Sequence, residues 1–566
     1  MEKDWQLCDG HDAELVRRFA EELNSGPVLA RVLLNRGIED VEAARQFFIP
    51  KLEHLHDPFL MAGMDDAVQR IQTALASKEK ILIYGDYDVD GTSSTSMMLM
   101  FFRKLNHPVD FYVPDRIKEG YGLSRTGIEH ARADGFGLII TVDLGVTAVE
   151  EIAFAHECGL DVIVCDHHQP GQELPPALAV LNPKRADCAY PFKELAGVGV
   201  AFKLLQALQR HLQLDESTVF ELLYFVALGS AADIVPLVDE NRALVKHGLK
   251  DLALSRRNVG LRSLVKITGL ADRDLGTGQV VFVLAPRINA AGRLGDAGRA
   301  VRLLTTDDEE VARDIASVLE SENRTRREID EATLIDAVAL VESAGDPASK
   351  FIFVLNSDEW HPGVIGIVAS RIVEKYFRPT VMIATDNGEG KGSARSIPGF
   401  DIYAALKSCE DLMLSFGGHK YAAGLSIETD KIPLLREKLS QVAAQNLSDA
   451  MLVPKLNIDS ELRFREIDAT LLKLFRKMAP FGPQNARPTF LSRELQIVGT
   501  PSIVGKNHLK FKVRQDGVVM DCIGFNLGEK LYRISAGERS VEMVYVIDEN
   551  EYKGRSTIQL RVKDLR

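Results

Sequence analysis

The stretch ILIYGDYDVDGTSSTSMML, residues 81–99, constrains the fold more than any other in the chain. Its first four residues are apolar without alternation, which predicts a strand buried on both faces, as in a parallel sheet. Asp86, Asp88 and Asp90 follow at alternate positions, and a helix-like run begins directly after them. Like charges this close raise the cost of ionising one another unless a cation stands between them. The segment reads as strand, acidic turn, helix, with the acid at the carboxyl end of the strand. Gly91 is expected to let the chain turn tightly from strand edge to helix.

The same grammar recurs in VDFYVP (109–114), GLIITVD (137–143), DVIVCD (161–166) and ALAVLNP (177–183), each separated from the next by a helical stretch. This predicts an α/β domain with a parallel sheet covered on both faces. In such sheets ligands collect beyond the carboxyl ends of the strands. Asp143 closes one of these runs, and Asp166, His167 and His168 close another, so neighbouring strands would bring five carboxylates and two imidazoles to one edge. A ligand set rich in oxygen, with imidazole and no thiolate, suits Mn²⁺ or Mg²⁺ better than structural zinc, Mn²⁺ tolerating nitrogen more readily. A calcium loop would need a glutamate near its twelfth position, and the following TSSTSMMLMFF supplies none.

At 566 residues the chain exceeds one hydrophobic core. The expected division is an N-terminal arm over 1–60, a catalytic α/β domain over 61–300, a long connecting helix over 301–349, a second α/β domain over 350–445 and an all-β barrel over 446–566. The barrel rests on strand-like runs such as HLKFKVRQ and VEMVYVID. No run of about 18 apolar residues is present and the first residues are too charged for a secretory leader, so a cytoplasmic protein without a membrane is expected. Six cysteines without zinc-like spacing read as reduced thiols. A net charge of −13 argues against a uniformly basic nucleic-acid surface, but not against a cleft whose own carboxylates hold metal.

GDYDVDGTS, TVDLG and CDHHQ resemble the first three motifs of the DHH phosphoesterase superfamily, and ALGSAADIVPL resembles the fourth, contributing Asp233. GGHKYAAG (417–424) is similar to the glycine-rich signature of the DHH-associated domain, DHHA1. The resemblance implies one metal ion held by Asp88 and Asp143 and a second held by Asp90, Asp143, His167 and Asp233. His168, Asp166 and Asp86 are the remaining candidate catalytic residues, with His168 cast as a transition-state partner. Tyr84 stands where some relatives place a histidine ligand, so Asp86 would fill or support the first site.

Nearly the whole chain, including PFGPQNARPTF (480–490), resembles the RecJ branch of single-strand exonucleases, with an oligonucleotide-binding (OB) type barrel at the end. That implies 5′→3′ hydrolysis of single-stranded DNA to 5′ mononucleotides, in recombination, repair and mismatch repair. It also implies a monomer working with a single-strand-binding protein and a helicase, and a passage too narrow for duplex. Donors to the strand are expected from PDRIKEGYGLS (Arg116, Lys118, Tyr121), from PRINAAGRLGD (Arg287, Asn289, Arg293), from a GSARS turn (Ser393, Arg395) and from Gly418 and His419. Arg116, Ser393 and Arg395 are the candidates for gripping a 5′ phosphate. In the barrel, Lys506, His508, Lys510, Phe511, Lys512 and Arg514 mix basic and aromatic groups as strand-holding modules do. A phosphodiesterase of small nucleotides (nanoRNA or a cyclic dinucleotide) and a non-catalytic DNA-binding scaffold are the competing possibilities.

Overall fold

The computed structural model of the chain describes every residue except 1, 9, 116–118, 121, 255–257, 272, 536–539 and 553–554. It divides into two compact units, residues 7–320 with 458–566 and residues 1–6 with 321–457.

In the first unit the apolar runs form β1 (Ile81–Gly85), β2 (Val109–Tyr112), β3 (Leu138–Val142), β4 (Asp161–Cys165) and β5 (Ala179–Leu181). All pair in parallel, in the order β2-β1-β3-β4-β5. Alternate side chains feed separate cores: Ile81, Ile83, Ile140 and Ile163 on one face, Leu82, Ile139, Val162 and Val164 on the other. Gly85 pairs with Val142 and Val142 with Cys165, so Asp86, Asp143 and Asp166 leave three adjacent strands at the same level. The strand order reverses between β1 and β3, the point at which open α/β sheets bind ligands.

Helix α1 (Val89–Lys104) follows the acidic turn and is buried along most of its length. Its polar TSSTS run tolerates burial because the hydroxyls of Thr92, Ser94, Thr95 and Ser96 donate to carbonyls four residues back, at 2.6–2.8 Å. Around it pack α2 (Gly197–His211), α3 (Leu223–Ala232) and α4 (Asp239–Leu254). PRINAAGRLGD lies largely in helix α5 (Ala285–Leu294), entered through a π-helical turn at Val280–Leu284. The acidic stretch beyond it forms the long helix α6 (Glu309–Ser343), which passes from the first unit into the second.

Also in the first unit, β11 (Thr489–Val504), β12 (His508–Gln515), β13 (Val518–Gly524), β14 (Val541–Tyr552) and β15 (Arg555–Leu565) close into a barrel. The order is β11-β12-β13-β15-β14, with β14 returning to β11. The helices Ala13–Glu22, Pro27–Leu34 and Val41–Phe48 share its core, Phe19 and Leu33 joining one cluster with Phe490 and Tyr545. Arg242 of α4 ties arm, barrel and α/β domain together: its buried guanidinium donates to the carbonyls of Phe47 (2.7 Å), Ala479 (3.2 Å) and Pro480 (3.4 Å).

The second unit holds β6 (Phe353–Ser357), α7 (Ile365–Tyr376), β7 (Thr380–Asp386), β8 (Glu389–Arg395), β9 (Ser415–His419) and β10 (Ala422–Glu428). The sheet order is β9-β10-β8-β7-β6, with only β6 and β7 parallel. The expected GSARS turn is thus strand: it runs through β8, the central strand of this sheet, and GGHKYAAG is a hairpin between β9 and β10. Among the described residues no helix is long and apolar enough to cross a membrane.

Candidate metal centre and strand-binding surfaces

Asp88 caps α1, its Oδ1 accepting from the amides of Asp90 (2.8 Å) and Gly91 (3.1 Å). Gly91 is therefore not a turn residue but the third residue of the helix. A Cβ on it would lie 2.5 Å from the carbonyl oxygen of Asp86, so glycine is required for close approach. Asp90 points back at the first turn of α2, where the amides of Gly197 and Val198 donate to its two oxygens at 2.7 and 2.9 Å. That helix end stabilises negative charge.

Asp143 leaves β3 with φ +63°, a left-handed conformation that aspartate tolerates better than most residues. Its Oδ1 lies 3.1 Å from His167 Nε2, which is also 3.7 Å from Asp233 Oδ2 and 4.0 Å from Asp90 Oδ2. Asp233 comes from the C-terminal end of α3, and Ile234 after it is held at φ +60°, costly for a β-branched residue. The structure therefore gathers Asp90, His167 and Asp233 into one group within metal-ligand reach, and Asp86, Asp88 and Asp143 into another. A third contains Asp143, His167 and His168.

The electrostatics follow from this crowding. Burial, and then repulsion from Asp88, push the Asp90 carboxyl up to about 7 despite the two amides. Burial and the neighbouring carboxylates raise Asp143 and Asp233 well above the usual range. Burial and His168 pull the His167 imidazole down to about 3, leaving it neutral as a metal ligand must be. His168 is different. Burial alone would lower it, but its Nδ1 lies 2.7 Å from Asp166 Oδ1 and this partner lifts it to about 9. Asp166 in turn accepts from the amides of Val146 (2.9 Å) and His167 (2.7 Å); burial would raise it, but His168 and then the Val146 amide outweigh burial and hold it at about 2. Asp166 thus bonds His168 and stands in none of the three groups.

The donor set fits hard divalent cations. Oxygen dominates, one neutral imidazole is available, and the buried Cys165 thiol beside the edge is pushed up by burial and stays protonated. Tyr84 contributes nothing to this edge: its hydroxyl donates to Ser124 Oγ (3.2 Å) and accepts from the Ser124 amide (3.1 Å).

Two glycines that sequence reasoning missed make the packing possible. A Cβ on Gly197 would meet Asp143 Oδ1 at 2.5 Å, and one on Gly229 would meet Asp90 Oδ1 at 2.6 Å. Asn289 of α5 acts on the same turn, its Oδ1 accepting from the Val89 amide at 3.1 Å.

Other expected donors fare unequally. Arg116, Lys118 and Tyr121 lie outside the described residues. Arg287 is buried, bonded to Glu320 and at 2.6 Å to the Val283 carbonyl, so it braces the π-helical turn instead of facing a strand. Arg293 is half-buried on α5. Ser393 and Arg395 stand two apart on β8, with Arg395 Nη1 donating to Ser393 Oγ at 3.0 Å. Gly418 has φ +142°, and His419 is exposed beside it.

On the barrel, Lys506, Lys510, Lys512 and Arg514 are exposed, and Lys512 pairs with Asp521 at 3.1 Å. Phe511 is only 4% exposed and belongs to the barrel core, because alternate residues of β12 face inward. Phe525 is exposed instead, 53% accessible and edge-on to His508 with ring centroids 5.1 Å apart.

Residues 80–230 match the DHH family N-terminal domain, 349–445 the DHHA1 domain and 458–564 the RecJ OB domain. The chain is 40% identical over 556 residues to the single-stranded-DNA-specific exonuclease RecJ of Bacillus subtilis (strain 168), covering 98% of this chain and 70% of that protein. Against the RecJ of Escherichia coli (strain K12) it is 35% identical over 563 residues, with 95% and 96% covered. The crystal structure of RecJ from Thermus thermophilus in complex with Mn²⁺ superposes with a TM-score of 0.85 at 31% identity, covering all of this chain and 79% of the other. The Mg²⁺ complex of the same protein gives 0.79 at 30% identity. With its acidic switch-point edge, its second α/β sheet and its closing barrel all matched at this coverage, the chain belongs to the RecJ family of the DHH superfamily.

Proposed function

We propose that this protein is a metal-dependent exonuclease that degrades single-stranded DNA from the 5′ end, releasing 5′ mononucleotides. The observation that carries the proposal is the meeting of Asp90, Asp143, Asp233 and His167 at the switch point of the sheet, in a chain whose full-length relatives are named single-stranded-DNA-specific exonucleases.

Asp88 and Asp143, supported by Asp86, would hold one Mn²⁺ or Mg²⁺, and Asp90, Asp143, His167 and Asp233 a second. Such ions supply Lewis acidity toward a phosphodiester and make a water nucleophilic near neutral pH. The chain's own contributions are positional. The α2 amides and Asn289 fix the acidic turn. Asp166 holds His168 by Nδ1 and keeps it protonated, so the imidazolium can donate to a non-bridging phosphoryl oxygen as charge develops there. Ser393 and Arg395 would hold the 5′ phosphate, arginine being suited to two-pronged recognition of phosphate. Lys506, Lys510 and Arg514, with His508 and Phe525, would track the strand by charge and stacking, which is worth about 1–3 kcal/mol per base.

The division into arm, catalytic domain, connecting helix, second α/β domain and barrel belongs to this reading, as does a cytoplasmic setting in DNA recombination and repair beside a single-strand-binding protein and a helicase. The test is to incubate the purified full chain with Mn²⁺ and single strands labelled at either end. Release of the 5′ label as a mononucleotide first is expected. Earlier loss of the 3′ label contradicts the polarity, and no cleavage favours a scaffold.

A further inference from the structure

Gly366 is the second residue of α7, and its φ is not in the left-handed region, so the backbone does not call for glycine. Within a helix glycine is a poorer choice than alanine. What calls for it is space. A Cβ at this position would lie 2.9 Å from Arg395 Nη2 and 2.9 Å from Ser393 Oγ. Those two side chains share one face of β8, the central strand of the sheet, and Arg395 is further fixed by donating to the Ala394 carbonyl at 2.7 Å.

We propose that Gly366 is a positioning residue for the 5′ phosphate: having no side chain, it lets the Arg395 guanidinium and the Ser393 hydroxyl lie together against the first turn of α7, as a phosphate-gripping pair. The proposal rests on the reading above that this pair holds the phosphate. A methyl group here collides with the ends of two side chains and not with backbone. The atoms that must give way are side-chain atoms of the pair itself, so the displacement falls on the geometry of the grip, to which two-pronged arginine bonding is sensitive.

The experiment compares initial rates on 5′-phosphorylated and 5′-hydroxyl single strands of one sequence, for the full chain, Gly366→Ala, Arg395→Ala and the double variant, with melting temperatures. The unaltered chain should prefer phosphorylated ends. Gly366→Ala should lower that preference by about tenfold, the scale of one charge-assisted hydrogen bond, while melting at or above the starting temperature. The double variant should lose no more preference than Arg395→Ala alone, as coupled positions do. If the preference survives Gly366→Ala but not Arg395→Ala, the positioning role is wrong and the phosphate site stands. If it survives Arg395→Ala, the phosphate site itself is wrong. An equal slowing on both ends, or a lowered melting temperature, makes Gly366 merely structural and also overturns the proposal.

Discussion

Helix α2 meets buried charge twice, and the two encounters differ in how the charge is balanced. At its first turn its amides face Asp90, which sits among Asp88, Asp143 and Asp233 with one neutral imidazole nearby. Further along, Lys203 is fully buried, yet its ammonium lies 2.9 Å from Glu240 and donates to the His56 carbonyl at 2.7 Å. Glu240 also accepts from the Tyr190 hydroxyl and, at 2.8 Å, from the His56 amide. Burial lowers the Lys203 ammonium and Glu240 partly restores it. The second cluster closes on itself: cation, anion and hydrogen bonds are all supplied by the chain. The first contains carboxylates that push one another's pKa upward, and the His168 imidazolium, itself paired with Asp166, offsets them only in part. Buried charge that is internally matched is architecture, whereas buried charge in excess of one sign is a site that is completed from outside.

Removing a central charge from each cluster separates the two roles most strongly. Asp143→Asn should cut exonuclease turnover by about a thousandfold or more, because this carboxylate faces both candidate cation groups. A single-turnover assay in excess Mn²⁺ checks it, and retained activity would remove Asp143 from the centre. Lys203→Met should leave Glu240 buried without its counter-ion and destabilise the fold by about 3–5 kcal/mol in denaturant melts. Turnover of the remaining folded protein should be normal.

The response to metal should differ in the same way. Mn²⁺ at about a hundred times its dissociation constant should stabilise the chain by about 2.7 kcal/mol for each ion bound, since it binds the folded state alone. Differential scanning calorimetry should show this shift in Lys203→Met and find it missing in Asp143→Asn. The response to pH follows from the same crowding. In metal-free protein Asp90 titrates near 7 when folded and near its ordinary value of 3.8 when unfolded. A folded pKa raised in this way adds stability that is complete below about pH 4 and is lost as pH rises through 7. Metal-free melting temperatures should therefore fall between those values, and saturating Mn²⁺ should abolish the fall at neutral pH.

Much of the acidic edge was legible in the sequence because its cause is local. An apolar run that ends in aspartate places that carboxylate beyond the end of a strand, and β1, β3 and β4 do so in register. Asp233 came only through a family resemblance, since nothing in the run up to α3 announces a ligand. The support that Gly197 and Val198 give Asp90 spans more than a hundred residues of chain and has no local signature beyond a glycine pair opening a helix. Phe511 is the opposite case. The alternation in HLKFKVRQ already puts Leu509, Phe511 and Val513 on one face and Lys510, Lys512 and Arg514 on the other, so strand period two assigns Phe511 to the core. Arg287 reads as a free donor in sequence because its partners, Glu320 and the Val283 carbonyl, are set by a π-helical turn that no periodicity reveals. The lone lysine within GVGVAFKLLQAL was the available signal for the Lys203 cluster.

The most direct measurement of the contrast is a count of bound Mn²⁺ by electron paramagnetic resonance, for the unaltered chain, Asp143→Asn and Lys203→Met, each kept folded. Two ions per chain in the first and third, and loss of both in Asp143→Asn, is the expected result. No binding by the unaltered chain, or two ions retained by Asp143→Asn, would contradict a metal centre at this edge.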